Sequence, residues 1–361
     1  MNLKKAVRWL AHRANEYLAQ RMTLIAAGLL FLLGGFTVVT FLLNFDELQR
    51  LAEEDNFNRT IEASPDNTDR SVVVSPGNRP TTAEAAWLAP LNRYRAMVGL
   101  APVGTDARLS RGDFLHSHYL AVNYAPQMPD GDLGAEVHTE DPANPGFTPE
   151  GAAAAGSSDI GWLWNPRSRP QPSWAIDSWM RAPFHRLQII NPYLHRVGYG
   201  NDCQGAVCFA ALNIGVDVDP LSAISAPWPK PIFFPSDGSV MDSGMFSDEW
   251  PDPLTSCPEF KSPTGLPITL ERGPSTEPGF SDYSVSQVSP SRGSIEACAF
   301  DANTYVNPDA SAQSTARAIL NHFGAIVIVP RHPLPPGRYV VALSAGLRYT
   351  WSFSIAAKDP D

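Results

Sequence analysis

The chain has 361 residues, which is enough for two folded domains and more than one ordinary hydrophobic core requires. Hydrophobic residues make up 43% of the chain and charged residues 18%, a balance typical of globular proteins and not of disordered ones. The net charge of −10 argues against nucleic acid as a partner, because phosphate binding requires basic surface that displaces counterions.

The segment from Met22 to Phe45 contains no charged residue and is long enough to cross a bilayer as a helix. Basic residues predominate in 1–21 and acidic residues in 46–55. Because the positive flank of such a helix stays in the cytoplasm, we expect a single-pass protein of the cell membrane whose C-terminal domains are extracytoplasmic. A cleaved signal peptide is the alternative, although its apolar region would be shorter and no clear cleavage site follows.

All four cysteines follow this apolar segment. An even number of cysteines in an exported chain predicts two disulfides, most simply Cys203–Cys208 and Cys257–Cys298. Zinc coordination by these cysteines is disfavoured, because no CxxC pair occurs and the four are widely spread.

Residues 46–80 predict a linker, since turn-forming residues dominate and hydrophobic periodicity is weak. Residues 81–219 predict a mixed α/β domain in which helices precede an antiparallel hairpin. The expected helices cover about 81–98, 106–123, a stretch starting near Glu150, and 173–180, and the expected hairpin strands cover 196–201 and 206–216.

A different composition begins after a proline-rich hinge at 220–232. Short apolar runs at 325–329, 338–343 and 349–355 alternate with Pro/Gly turns. We therefore expect residues 233–358 to form a small all-β sandwich.

The run from Trp87 to Val216 contains LNRYRAMVGLAPV, then HSHYLAVN, and finally AIDSWMRAPFHRLQIINPYLHRVGYG. In content and order these blocks resemble the CAP superfamily, the extracellular domains of cysteine-rich secretory, antigen 5 and pathogenesis-related 1 proteins, in its bacterial form. The resemblance implies a three-layer α-β-α sandwich with an open cleft lined by two histidines and acidic residues.

By the motifs of that family, the cleft residues fall on His138, Glu150 and His185. Eukaryotic members carry a second glutamate three residues after the tryptophan of the fourth helix. Here Trp179 is followed by Met180-Arg181-Ala182, so that carboxylate is missing. A four-residue acid/base scheme therefore does not transfer directly to this chain.

Two histidines and a glutamate can form an open site for zinc or another divalent metal, with water in the fourth position. The same trio could act as general acid and base, or the histidines could be ordinary hydrogen-bonded structural residues. Ser157 and Ser158 follow the alanine-rich helix, but nothing in the sequence marks either as an activated nucleophile.

The sequence thus favours a membrane-anchored, extracytoplasmic binding module without enzymatic activity. Its expected ligand is a metal, a lipid, or a glycan or protein of the cell envelope. The alternatives are a metal-dependent hydrolase or peptidase that uses the same cleft, and a purely structural protein.

Overall fold

The computed structural model describes residues 82–127, 133–164, 170–214, 228, 230–274 and 279–357. The predicted cytoplasmic segment 1–21, the transmembrane segment 22–45 and the linker 46–80 lie outside these residues. Within the described ranges, no helix has the length and apolarity needed to cross a membrane. Residues Asn78–Asp361 form one compact unit. We refer to described residues 82–214 as the N-terminal domain and to 230–357 as the C-terminal domain.

Four helices of the N-terminal domain agree with the sequence expectations, and a fifth helix follows them. They are α1 (Thr82–Met97), α2 (Ala107–Asn123), α3 (Pro149–Ala155), α4 (Ser173–Arg181) and α5 (Pro183–Ile189), with short 3-10 turns at Ala125–Gln127 and Ala135–His138. Asp106 caps α2 by accepting hydrogen bonds from the amides of Arg108 and Leu109. Thr148 caps α3 in the same way.

Four strands form the sheet of this domain in the order β1-β3-β4-β2. They are β1 (Gly104–Thr105), β2 (Ser158–Trp164), β3 (Arg196–Gln204) and β4 (Val207–Asn213). The predicted β3–β4 hairpin is confirmed, and the disulfide Cys203–Cys208 joins its two strands. Strand β2 was not predicted from the sequence, because it follows α3 with almost no loop between them.

Helices cover both faces of this sheet, and the alternation along β4 shows how. Phe209 and Ala211 face a cluster that includes the α2 residues Tyr119 and Leu120. Ala210 and Leu212 point to the opposite face and join a cluster built by α1 and α4. Because successive strand residues face opposite sides, the sheet is the middle layer of an α-β-α arrangement.

Two glycines let α2 lie directly on β3. A Cβ atom at Gly200 would collide with the backbone of Asp113 and Phe114. One at Gly198 would collide with Leu109 and with the Asp113 carboxylate. Both positions therefore require glycine to allow the close approach of helix and strand.

The C-terminal domain is mostly β-structure, as predicted, and the disulfide Cys257–Cys298 is confirmed. Its sheets have the orders β11-β10-β14-β15-β6, β12-β13-β9-β5 and β7-β8. The strands are β5 (Ile232–Phe234), β6 (Val240–Met241), β7 (Met245–Phe246), β8 (Thr264–Gly265), β9 (Ile268–Glu271), β10 (Asp282–Ser289), β11 (Ser291–Ile295), β12 (Ala297–Asp301), β13 (Ala325–Pro330), β14 (Gly337–Ala345) and β15 (Leu347–Ile355). The all-β expectation needs one correction, since the domain also contains helix α6 (Ala310–Phe323).

The two domains share one hydrophobic core, and Arg186 of α5 crosses between them. Its fully buried guanidinium donates hydrogen bonds to the carbonyl of Met180 in the N-terminal domain and to that of Pro267 in the C-terminal domain. The group lies 4.3 Å from the ring centroid of Phe234. Burial lowers the pKa of Arg186 to about 10, which leaves the side chain charged at neutral pH.

Replacing Arg186 by alanine should lower the free energy of unfolding by about 2–6 kcal/mol, because two buried carbonyls each lose a donor worth about 1–3 kcal/mol. Urea unfolding of residues 78–361 measures this change. Arg93→Ala is the matched control, since Arg93 is 61% exposed and lies 3.9 Å from Asp177, so it should change stability by less than about 1 kcal/mol. Equal stability of the two variants would contradict the central role of Arg186.

Candidate functional site

The fold brings His138 and His185 to one place. His138 ends the 3-10 turn Ala135–His138, and His185 lies in the first turn of α5. Both side chains line a small cavity of about 100 Å³ and a larger cavity of about 800 Å³. The two histidines therefore belong to a wall that the two cavities share.

His138 is held as a neutral imidazole. Its Nδ1 lies 3.2 Å from the carbonyl oxygen of Ala155, to which it donates. Burial lowers the pKa of His138 to about 4, and this hydrogen bond opposes only part of that effect. With Nδ1 protonated, Nε2 carries the lone pair. The ring packs 6.1 Å, centroid to centroid, from Trp250.

His185 is paired with Glu249, a residue of the C-terminal domain that sequence reasoning did not identify. The imidazole Nδ1 lies 2.9 Å from Glu249 Oε2, and the side chains are 12% and 1% exposed. Glu249 also accepts hydrogen bonds from the backbone amides of Phe184 and His185 at 3.0–3.3 Å. Its carboxylate thus occupies the N-terminal end of α5, where negative charge is favoured.

Opposing effects set the charge of this pair. Burial disfavours the charged form of His185, but the hydrogen bond to Glu249 and the charge of Asp159 outweigh it and raise the pKa of His185. Burial also raises the pKa of Glu249, while hydrogen bonds from His185 and the two amides counteract the increase. The pair therefore holds a proton between its two groups more tightly than an isolated histidine does.

Asp159 of β2 is the second acidic residue of the site that the sequence analysis missed. It is 2% exposed and lines the larger cavity. Its Oδ1 accepts a hydrogen bond of 3.1 Å from Gln188 Nε2, whereas no described residue donates to its Oδ2. Burial raises the pKa of Asp159 to about 7, and the nearby charge of His185 acts in the opposite direction.

Glu150, the third residue of the predicted trio, does not line either cavity. Its Oε2 lies 2.9 Å from Arg111 Nε, and both side chains are more than half exposed. Glu140 is closer to His138 in sequence than Glu150 is. Its carboxylate, however, is bonded to His116 Nδ1 at 2.9 Å and to the amide of Thr148. His116 and Glu140 are completely buried and hold the loop after His138 in place.

The described geometry shows only part of the predicted metal site. Among the described residues, no group of three or more His, Cys, Asp or Glu side chains is placed to hold a metal ion. The Nδ1 atoms of His138 and His185 are already engaged by Ala155 and Glu249, and Glu150 is on the surface. Binding of a metal by His138, Glu150 and His185 remains a prediction.

The larger cavity lies between α5 and β2 on one side and α6 of the C-terminal domain on the other. Its polar lining includes Ser158, Asp159, His138 and His185, together with Ser157, Gln188, Asn191, Thr315 and His322. Its apolar walls are formed by Phe184, Ile214, Trp250, Ala318, Ile319 and Phe323. Both domains are therefore needed to build this cavity.

No curated protein matches the chain. Among solved structures, it is similar to PcoC, a methionine-rich copper resistance protein from Escherichia coli, with 16% identity over 34% of this chain and 92% of that chain and a TM-score of 0.19. The selenomethionine form of PcoC gives 16% identity, 34% and 94% coverage, and a TM-score of 0.18. These TM-scores are too low to indicate a shared fold. Residues 88–212, in contrast, match the Cysteine-rich secretory protein family, CAP, and the chain therefore contains a CAP domain.

Proposed function

We propose that this protein is a membrane-anchored, extracytoplasmic CAP protein that acts as a non-enzymatic binding module for a lipid-like amphiphile of the cell envelope. The observation that carries the proposal is the cavity of about 800 Å³ between the two domains. A volume of this order, lined by apolar side chains and a limited set of polar groups, is typical of small-molecule sites.

The cysteine pairing and the sequence of the anchor support the proposed location. Two disulfides lie within residues 203–298, and structural disulfides persist in oxidising compartments outside the cytoplasm. The charge asymmetry around residues 22–45 favours export of everything that follows.

The hydroxyl groups near the site argue for binding over hydrolysis. Ser158 Oγ donates to Asp113 and to the carbonyl of Ala154, and Ser157 Oγ donates to the carbonyl of Ala153. Neither hydroxyl is hydrogen-bonded to a histidine, as an activated nucleophile would be. The His185–Glu249 pair resembles an acid–base pair, but it lacks such a partner among the described residues.

In cells that express the full chain, we expect the protein to remain in the membrane fraction after alkaline carbonate extraction. A charge-free helix of this length inserts stably into the bilayer. Deleting residues 22–45 should abolish both membrane retention and export. Mass spectrometry of the mature protein provides the decisive check. A new N-terminus near residue 45 would show that residues 22–45 belong to a cleaved signal peptide and not to an anchor.

Ala318→Trp should weaken binding of the neutral hydrophobic dye Nile red by about tenfold or more, because the indole enters the larger cavity from α6. Asn321→Trp is the control, since Asn321 is an exposed residue of the same helix that does not line the cavity. Fluorescence titration measures both affinities. If both variants bind the dye as tightly as the parent, the cavity is not the binding site.

Glu249→Gln should lower the pKa of His185, because burial then acts without the opposing carboxylate. NMR titration of the imidazole measures the shift, and Glu150→Gln should leave it unchanged. In the parent, His185 binds its proton more tightly when folded than when unfolded. The resulting stability is therefore complete below the ordinary histidine pKa of about 6.5 and is lost as the pH rises through the raised value. An unchanged His185 pKa in Glu249→Gln would show that the C-terminal domain does not control this site.

A further inference from the structure

The residues that line the larger cavity include Asp159, whose carboxylate has one oxygen that no described residue satisfies. Asp159 Oδ1 has Gln188 as its donor, but Oδ2 is buried without one. Buried carboxylate oxygens are normally hydrogen-bonded, and each exception needs an explanation. Because Asp159 lines the cavity, the group that satisfies Oδ2 can come from a ligand.

The core carboxyl of Glu271 provides a useful contrast. Both of its oxygens also lack a partner among the described residues, but Glu271 lines neither cavity. Burial raises its pKa well above the usual range, and the nearby Arg186 acts in the opposite direction. Asp159 differs because it lines the larger cavity, which has room for a partner.

The charges around Asp159 favour a cationic partner. His185 is close enough to lower the pKa of Asp159, but its Nδ1 is already bonded to Glu249. His138 and His322, which line the same cavity, have pKa values lowered by burial and are neutral at pH 7. The described residues that line the cavity include no lysine or arginine, so an anionic headgroup would meet the Asp159 carboxylate and a histidine that is already bonded to Glu249.

We propose that the ligand is an amphiphile with a protonated amine, whose ammonium group binds Asp159 Oδ2 while its apolar body lies along α6. This inference rests on the proposed binding function and names the chemical class of the ligand. The ammonium supplies the hydrogen-bond donor and the positive charge that Asp159 lacks. Ile319 and Phe323 provide apolar contact for the body, and the Trp250 ring lines the same space.

The pH dependence of binding has a definite sign. Burial holds the pKa of Asp159 near 7 in the empty site, and only the ionised carboxylate can pair with an ammonium. An alkylammonium has a pKa of about 10 and stays charged across this range. The affinity should therefore rise as the pH increases to about 7 and fall by about tenfold per pH unit below it. Among the neighbouring groups, His185 opposes this effect and Glu249 reinforces it.

The test uses the full chain in nanodiscs of neutral lipid, with hexylamine, hexanol and hexanoate as probes of equal chain length. Calorimetric titration of Ala318→Trp provides the background from the bilayer. We expect hexylamine to bind more tightly than hexanol and hexanoate to bind least. Asp159→Asn should weaken hexylamine binding by about tenfold or more without changing hexanol binding, and Glu150→Gln should change neither.

If hexanol or hexanoate binds as tightly as hexylamine, the amine assignment is overturned while the binding module stands. The same holds if Asp159→Asn leaves hexylamine binding unchanged. If no probe binds above the Ala318→Trp background, the amine assignment falls. If Nile red binding is also insensitive to Ala318→Trp, the proposed function falls with it. The pH profile of hexylamine binding to the parent protein gives an independent answer should Asp159→Asn fail to fold.

Discussion

The buried guanidinium of Arg186 is the interaction on which the rest of this molecule depends. Its hydrogen bonds run from Met180 in one domain to Pro267 in the other, in a region from which water is excluded. Burial raises the pKa of the adjacent Glu271, while backbone carbonyls accept hydrogen bonds from the two terminal guanidinium nitrogens of Arg186. Because a buried charge that loses its partners is strongly destabilising, the two domains are fixed relative to each other through α5.

Helix α5 also carries the residues of the cleft, so the fixed interface and the candidate site have a common origin. Phe184, His185 and Gln188 of this helix face the larger cavity, while Arg186 points into the core. The segment that bears Glu249 seats its carboxylate on the first turn of the same helix. The fourth helix of the CAP domain lacks a cleft glutamate, and here a carboxylate from the second domain stands beside His185.

Local patterns in the sequence predicted most of the N-terminal domain. Hydrophobic periodicity and capping residues located α1 to α4, and the cysteine count indicated both disulfides. Helix α6 carried comparable signals that the sequence analysis did not use. Asp309 caps its first turn, and Gly324 ends it with a φ of 54°. The site was harder to predict, because Glu249 reaches His185 across 64 residues and the cavity that Asp159 lines also needs residues of the second domain. Tertiary contacts of this kind leave no periodic trace in a single sequence.

Three buried acidic side chains around the cleft show how the protein satisfies negative charge. Glu140 receives donors from His116 and the Thr148 amide, and Glu249 receives them from His185 and two amides. Asp159 receives one donor from Gln188, on one oxygen only. In the two satisfied cases the partners come from the chain itself and fix a loop or a helix end. Oδ2 of Asp159 holds no loop or helix end in place. Of the three acidic residues, Asp159 is the one that lines the larger cavity. Since leaving a buried acceptor unpaired is unfavourable by about 1–3 kcal/mol, the half-satisfied carboxylate is best explained as a binding group whose partner arrives with the ligand.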